Sequence, residues 1–235
     1  MKTIGLSHKG LVRNANEDRL LIKEFSQNSA LLAVFDGLGG QPGGELAAQL
    51  AQDVVDTFSP SPGQELTSLN DIVQQANDAI LTEADKNSKF AYMGCTVITA
   101  LIRDSELSWA HVGDCRLYLF RAGRLQQLTV DQNMAQSCIN DGSMTVEEAH
   151  ASKIQNLLDQ HLGLYQIEPE MNSTELYAGD ILLLATDGVH NEVSNETLEK
   201  ILLMANPIEI KAQTIINQAL DHGGKDNITL VLAEI

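Results

Sequence analysis

The chain has 235 residues, 43% of them hydrophobic, with Gly at 17 positions and Pro at 5, so it carries enough apolar side chain for a full core and is neither a disordered nor a collagen-like sequence. Lys and Arg number 15 against 32 Asp and Glu, a formal net charge of −17, which repels both the phosphate backbone of nucleic acid and an anionic membrane surface. Charged residues make up only 20% of the chain, so what matters is where the acids sit, because a buried carboxylate needs a partner or a cation.

In chain order, short runs rich in Val, Ile, Leu and Thr read as strands over 3–6, 20–23, 30–35, 96–102, 107–112, 117–120, 125–128, 181–185 and 228–232. Arg121-Ala122-Gly123 offers a short hairpin loop between two of them. Helical periodicity comes in consecutive pairs. The first is 43–58, with Leu46, Leu50 and Val54 at a spacing of four, followed by 67–87; the second is 195–205, with Ser194 and Asn195 as caps, followed by 207–221, opened by Pro207. Strand groups separated by helix pairs predict an α+β fold, a sandwich of antiparallel sheets covered by helices, rather than regular βαβ winding. Residues 131–163 form a polar, helix-biased excursion, and no linker or repeat divides the chain, so one domain over 1–235 is expected.

Cys95, Cys115 and Cys138 are odd in number and widely spaced, which supports neither a disulfide framework nor a thiolate zinc site. Lys2, His8, Lys9 and Arg13 interrupt every apolar stretch near the start, and no run approaches the roughly 20 apolar residues that span a bilayer. A cytoplasmic protein is expected.

Four aspartates share one context. Asp36 follows LLAVF and precedes Gly37; Asp114 follows WAHVG; Asp187 follows ILLLAT and precedes Gly188; Asp226 lies directly before NITLVL. One Asp at a strand end is commonplace in turns, but four, two of them as Asp-Gly after an apolar run, point to a shared site. Glu17 and Asp18 add a fifth acidic cluster before a strand. Oxygen ligands without His or Cys at ligand spacing select Mg²⁺ or Mn²⁺ over zinc. Two such ions can activate water against phosphorus, so phosphoester hydrolysis is the natural chemistry. Gly37 lets a backbone carbonyl approach closely. Arg13 is a candidate phosphate fork, the alternative being a surface pair with Glu17.

These residues fall in six collinear blocks: RNANEDR at 13–19, VFDGLGGQPGGELAA at 34–48, MGCTVITALI at 93–102, HVGDCRLYLFRAGRLQQLTVDQN at 111–133, LLLATDGVHNEVS at 182–194 and GGKDNITLVL at 223–232. In them the chain resembles the metal-dependent type 2C (PPM) Ser/Thr protein phosphatases in their compact bacterial form. The resemblance implies a four-layer α-β-β-α sandwich, two antiparallel sheets flanked by antiparallel helix pairs, with Mn²⁺ or Mg²⁺ bound as two core ions and a weaker third. It places Asp36 between the core ions with the Gly37 carbonyl, has Glu17 and Asp18 act directly or through water, and completes the set with Asp187 and Asp226. Asp114 matches the residue that holds the third ion with Asp187, and Arg13 the phosphate-binding arginine. A flap at about 131–165, phosphorylated protein substrates, a cognate Ser/Thr kinase and a monomeric state are implied as well.

The chain also departs from the family pattern. Leu38 stands where many eukaryotic members have a His proposed as general acid, and Asn191 where an acid often supports the third ion. Gln132 replaces the His that commonly follows Asp131, and His161 replaces an Arg of the flap. These departures motivate an alternative, a catalytically weakened phosphatase-fold regulatory or binding protein; retention of Asp18, Asp36, Asp187 and Asp226 favours the enzyme. Rival motifs are weaker. Cys115 to Arg121 has the spacing of thiolate phosphatases, but an apolar strand fills the interval. The cluster GLGGQPGG lacks the Lys-Ser/Thr of a P-loop and serves to turn strand into helix. His111 and Trp109 read as core residues, and Asp104 and Glu106 as solvated turn residues.

Overall fold

The computed structural model describes residues 1–39 and 42–235, with the backbone alone at 150 and 151. Ten strands form two five-stranded antiparallel sheets. One sheet runs β1 (Lys2–His8), β10 (Ile228–Glu234), β9 (Ile181–Ala185), β6 (Arg116–Arg121), β7 (Arg124–Gln127); the other runs β2 (Arg19–Ser26), β3 (Ser29–Gly37), β4 (Cys95–Arg103), β5 (Glu106–Val112), β8 (Glu170–Glu175). Every sequence-predicted strand is present. β8 was not predicted: EMNSTE is polar and largely exposed, the composition of a sheet edge whose outer face meets water.

Three apolar clusters define the layers. Leu31, Ala33 and Phe35 on one face of β3 pack under α1 (Gly44–Val55) and α2 (Glu65–Lys86), through Ala47, Ala51, Leu69 and Val73. Leu32 and Val34, on the opposite face, meet Leu182, Leu184 and Leu117 of the other sheet, with Trp109 buried among them as expected. The outer face of that second sheet, including Leu183, Leu230 and Leu232, is covered by α6 (Asn195–Leu203) and α7 (Ile208–Asp221). Alternation along single strands therefore builds a helix-sheet-sheet-helix sandwich. Pro207 caps α7 and leaves Ile208 as its first residue. Of the glycine cluster, Gly40 and Gln41 lie outside the described residues; Gly43, at φ 103, starts α1 against Phe90 and Met93, where a side chain would be both strained and obstructed.

The polar excursion leaves the sheets after β7 and returns at β8. It contains α3 (Met134–Asn140), capped by Asn133, and α4 (Val146–Ala151), which carries a reciprocal capping box between Thr145 and Glu148. Asp104, at φ 54, and Glu106 flank the exposed β4–β5 turn.

Register decides where the strand ends fall. Asp36 pairs with Thr96, Phe35 with Arg19, and Ala185 with both Arg116 and Leu230, so the residues flanking β2, β3, β4, β6, β9 and β10 gather at one end of the sandwich. Because Leu184 is fully buried between the sheets, Leu184→Ala should cost about 3 kcal/mol by chemical denaturation without loss of fold, whereas Leu203→Ala on the exposed side of α6 should change stability by less than about 0.5 kcal/mol.

Candidate active site

At that end a cleft of about 290 Å³ is lined by Arg13, Asp36, Leu38, Gly39, Thr96, Asp114, Asn156, Leu158, Asp187 and Asp226. Four of the acids read from sequence therefore share one wall with the predicted arginine. Asp36 is the penultimate residue of β3, Asp114 follows β5, Asp187 opens the short helix α5 (Asp187–His190) directly behind β9, and Asp226 precedes β10. Asp18, buried just before β2, accepts a hydrogen bond from the Thr186 hydroxyl at 3.0 Å, which ties it to the residue preceding Asp187.

Backbone approach here depends on missing side chains. A Cβ at Gly37 would collide with the carbonyls of Glu17 and Gly44, and one at Gly188 with the Asn227 carbonyl. Asn227 holds three segments together: its Oδ1 accepts from Glu17 N at 2.8 Å, and its Nδ2 donates to the Lys9 and Ala15 carbonyls at 2.8 and 2.9 Å. The loop carrying Arg13, Glu17 and Asp18 is thereby fixed to the start of β10. Sequence reading placed Asn227 behind Asp226 but gave it no role, and it missed Thr186; a Thr immediately before Asp-Gly at the end of an apolar run is the signal that could have found the latter.

Arg13 does not pair with Glu17. Its Nη2 donates to Asp226 Oδ2 at 2.6 Å, and its guanidinium lies against Gly39. Partial burial works against its charge, but Asp226, Asp187 and Asp36 more than compensate and raise its pKa. On the other side, Asn191 donates to Asp187 Oδ2 at 3.2 Å, and His190 Nε2 lies 3.1 Å from the Asp114 carbonyl.

Like charges crowded out of water resist ionisation. Burial, assisted by Asp187 and Asp226 and opposed by Thr229 and Thr186, pushes Asp18 up to about 7. Burial and the charge of Asp226 push Asp187 up to about 6. Burial raises Asp36 and Asp114 well above the ordinary carboxylate range, with neighbouring aspartates adding to the effect. Glu17 is raised mainly by burial. Among the described residues, one oxygen each of Asp18 and Asp187 is buried without a hydrogen-bond partner, an arrangement that costs free energy unless a cation faces it.

Hard oxygen donors with unpartnered lone pairs fit Mg²⁺ or Mn²⁺. Among the described residues no three acidic, His or Cys side chains close tightly on one point, so ions here would complete their shells with backbone carbonyls and water, as Mg²⁺ ordinarily does. Cys115 is no rival nucleophile: it is fully buried, its Sγ lies 2.9 Å from the Thr96 hydroxyl, and burial raises its thiol pKa. His111 is buried, with Nδ1 3.3 Å from Glu170 Oε2, as a core histidine should be. No described helix is long and apolar enough to cross a membrane.

A sequence model of the family described as Protein phosphatase 2C matches residues 5–222. The chain is 36% identical over 232 residues to the serine/threonine protein phosphatase PstP of Mycobacterium tuberculosis, covering 97% of this chain and 44% of that protein. It is 30% identical over 233 residues to the serine/threonine phosphatase Stp of Listeria monocytogenes, covering 96% and 92%. Its fold superposes with a TM-score of 0.88 and 34% identity on the crystal structure of the PstP catalytic domain in complex with two manganese ions, covering 99% of this chain and 97% of that one.

The raised carboxylates fix the sign of a pH effect. Asp18 and Asp187, at about 7 and about 6 against an ordinary 3.8, contribute stability that is fully present below about pH 4 and lost as pH rises through their folded values. His190, lowered to about 3 mainly by burial, acts in the opposite direction, but one imidazole is outweighed by Asp18, Asp36, Asp114 and Asp187. Metal-free protein should therefore melt at lower temperature at about pH 7.5 than at about pH 5, and Asp18→Asn should reduce that difference while raising stability at the higher pH by about 2 kcal/mol. Differential scanning calorimetry in EDTA measures both; a melting temperature rising across this window would contradict the electrostatic account.

Proposed function

The chain belongs to the protein phosphatase 2C family, and on that premise we propose that it is a divalent-metal-dependent phosphatase that hydrolyses phosphoserine and phosphothreonine in proteins. The observation that carries this reading is the convergence of Asp36, Asp114, Asp187 and Asp226 with Arg13 on one cleft, with Asp18 held behind them and buried carboxylate oxygens left unpartnered.

Asp18, Asp36, Asp187 and Asp226, with Glu17 and the Gly37 carbonyl, would hold two Mn²⁺ or Mg²⁺ ions, and Asp114 with Asp187 a weaker third, for which Asn191 supplies an amide in place of a charge. Bound there, such ions supply an activated water nucleophile and neutralise charge developing on the phosphate. The protein's own groups do the rest. Arg13 spends one donor on Asp226 and keeps the remainder of its fork for phosphate oxygens. Leu38 gives the cleft an apolar wall and has no proton to donate, so the departing serine or threonine oxygen takes its proton from water. Without cations the acidic wall repels a phosphate group, which makes metal dependence a requirement of substrate binding as well as of chemistry.

The segment 131–165 acts as a flap beside this cleft within one domain spanning 1–235; Asn156 and Leu158 already line the opening. A Ser/Thr kinase acting on the same proteins, a monomeric state and a cytoplasmic setting complete the proposal. The net charge of −17 argues against nucleic acid and membrane partners. All four principal aspartates are in place, which favours an enzyme over a binding module descended from one.

The test is hydrolysis of p-nitrophenyl phosphate and of a phosphothreonine peptide with Mn²⁺ or with EDTA. Wild type should be active only with metal. Asp36→Asn should lose at least about 100-fold in kcat, and Arg13→Ala about tenfold or more in kcat/KM, both with native circular dichroism. Activity that survives EDTA, or an active Asp36→Asn variant, would overturn the proposal.

A further inference from the structure

Gly113 sits between β5 and Asp114 at φ 111, and a Cβ there would strike Thr96. It lies beyond the last ladder pair of β5 and β4, Val112 with Val97. Among the described hydrogen bonds, both of its backbone groups go to one residue: Gln132 N donates to the Gly113 carbonyl at 2.8 Å, and Gly113 N donates to Gln132 Oε1 at 2.8 Å. The turn that aims Asp114 into the cleft is thus held by a side chain from the first residues of the flap.

Gln132 reaches the other end of the flap as well. Its carbonyl accepts from Asp159 N at 2.9 Å and Gln160 N at 3.4 Å, and its Nε2 donates to the Glu168 carbonyl at 3.2 Å. Glu168 N in turn donates to Gln160 Oε1 at 3.0 Å. Asp131, its neighbour, is fixed to Arg116 of β6 by two bonds of 2.8 and 2.7 Å; burial acts to raise the Asp131 pKa, but that pairing outweighs it and leaves the carboxylate below its ordinary value. The amide of Gln132 is well suited to this place, because it offers an acceptor to Gly113 and a donor to Glu168 at once and carries no charge at any pH.

We propose that Gln132 is a positioning residue that couples the flap to the Asp114 turn, so that displacement of the flap is transmitted to Asp114 through one residue, its side-chain amide adding to the backbone bond. The hydrogen-bond coupling stands on geometry alone; its catalytic consequence rests on the phosphatase reading.

Gln132→Ala removes the two side-chain bonds and leaves the backbone bonds of Asp159 and Gln160 untouched. Amide hydrogen exchange of the metal-free protein, read residue by residue by NMR, should then accelerate about tenfold at Gly113 and also at Asp159 and Gln160, with helices α6 and α7 unchanged. With saturating Mn²⁺, kcat/KM for a phosphothreonine peptide should fall about fivefold, mostly through KM. Gln132→His, whose neutral ring retains one acceptor and one donor, should restore both readouts to within about twofold. Acceleration confined to Gly113, acceleration spread evenly over the molecule, or a His variant no better than Ala would each overturn the coupling. An inactive wild type would defeat the proposed function while the exchange data still decide the role of Gln132.

Discussion

Carboxylates that cannot all be charged together dominate this molecule. Asp18, Asp36, Asp114 and Asp187 are raised by burial and by one another, and the features around them limit that cost. Thr186 donates to Asp18, Asn191 to Asp187, and the Arg13 guanidinium sits on Asp226. Each contributes a modest amount, and together they still leave an oxygen of Asp18 and of Asp187 without a partner among the described residues. A cluster held so far from its electrostatic optimum survives only because the sandwich beneath it is rigid. The apolar layers around Leu32, Leu182 and Leu184 fix the strand ends, and the carboxylates cannot relax apart without disrupting register.

The same constraint explains why so much of the site is glycine or amide. Gly37 and Gly188 allow backbone segments to approach more closely than any side chain would permit, and Asn227 stitches the loop of residues 9–17 to β10 with three bonds. Neutral, compact hydrogen-bonding groups bring acids together without adding charge. A lysine in these places would neutralise the cluster and occupy the volume that cations need.

Much of this was legible in the chain. An Asp that ends a run such as LLAVF or ILLLAT breaks the apolar pattern at the point where a buried strand should finish, and four such breaks mark a common site. The helix pairs were visible from their periodicity and caps. What escaped was whatever depends on contacts distant in sequence or on the absence of apolar signal. β8 is polar on its exposed face and exists because β5 offers it an edge. The partner of Arg13 lies 213 residues away, so local spacing suggested Glu17. Thr186 carried a local signal in its place before Asp-Gly, whereas the bonds of Gln132 to Gly113 and Glu168 depend on where the strand ends bring those residues, which no window of sequence contains.

The acidic cleft also bears on substrate choice. A phosphate group approaching Asp36, Asp114, Asp187 and Asp226 meets repulsion that the part of Arg13 left free by Asp226 cannot offset. Affinity for the anionic ligand is therefore conditional on prior neutralisation of the wall, and by linkage the phosphate would in turn strengthen cation binding by the same factor. On the proposed function, bound cations would place positive charge only where the carboxylates hold them, so a chain with a net charge of −17 would meet a phosphate group there without a general attraction for polyanions. Repulsion of polyanions over the surface and capacity for phosphate at the cleft would then follow from a single charge distribution.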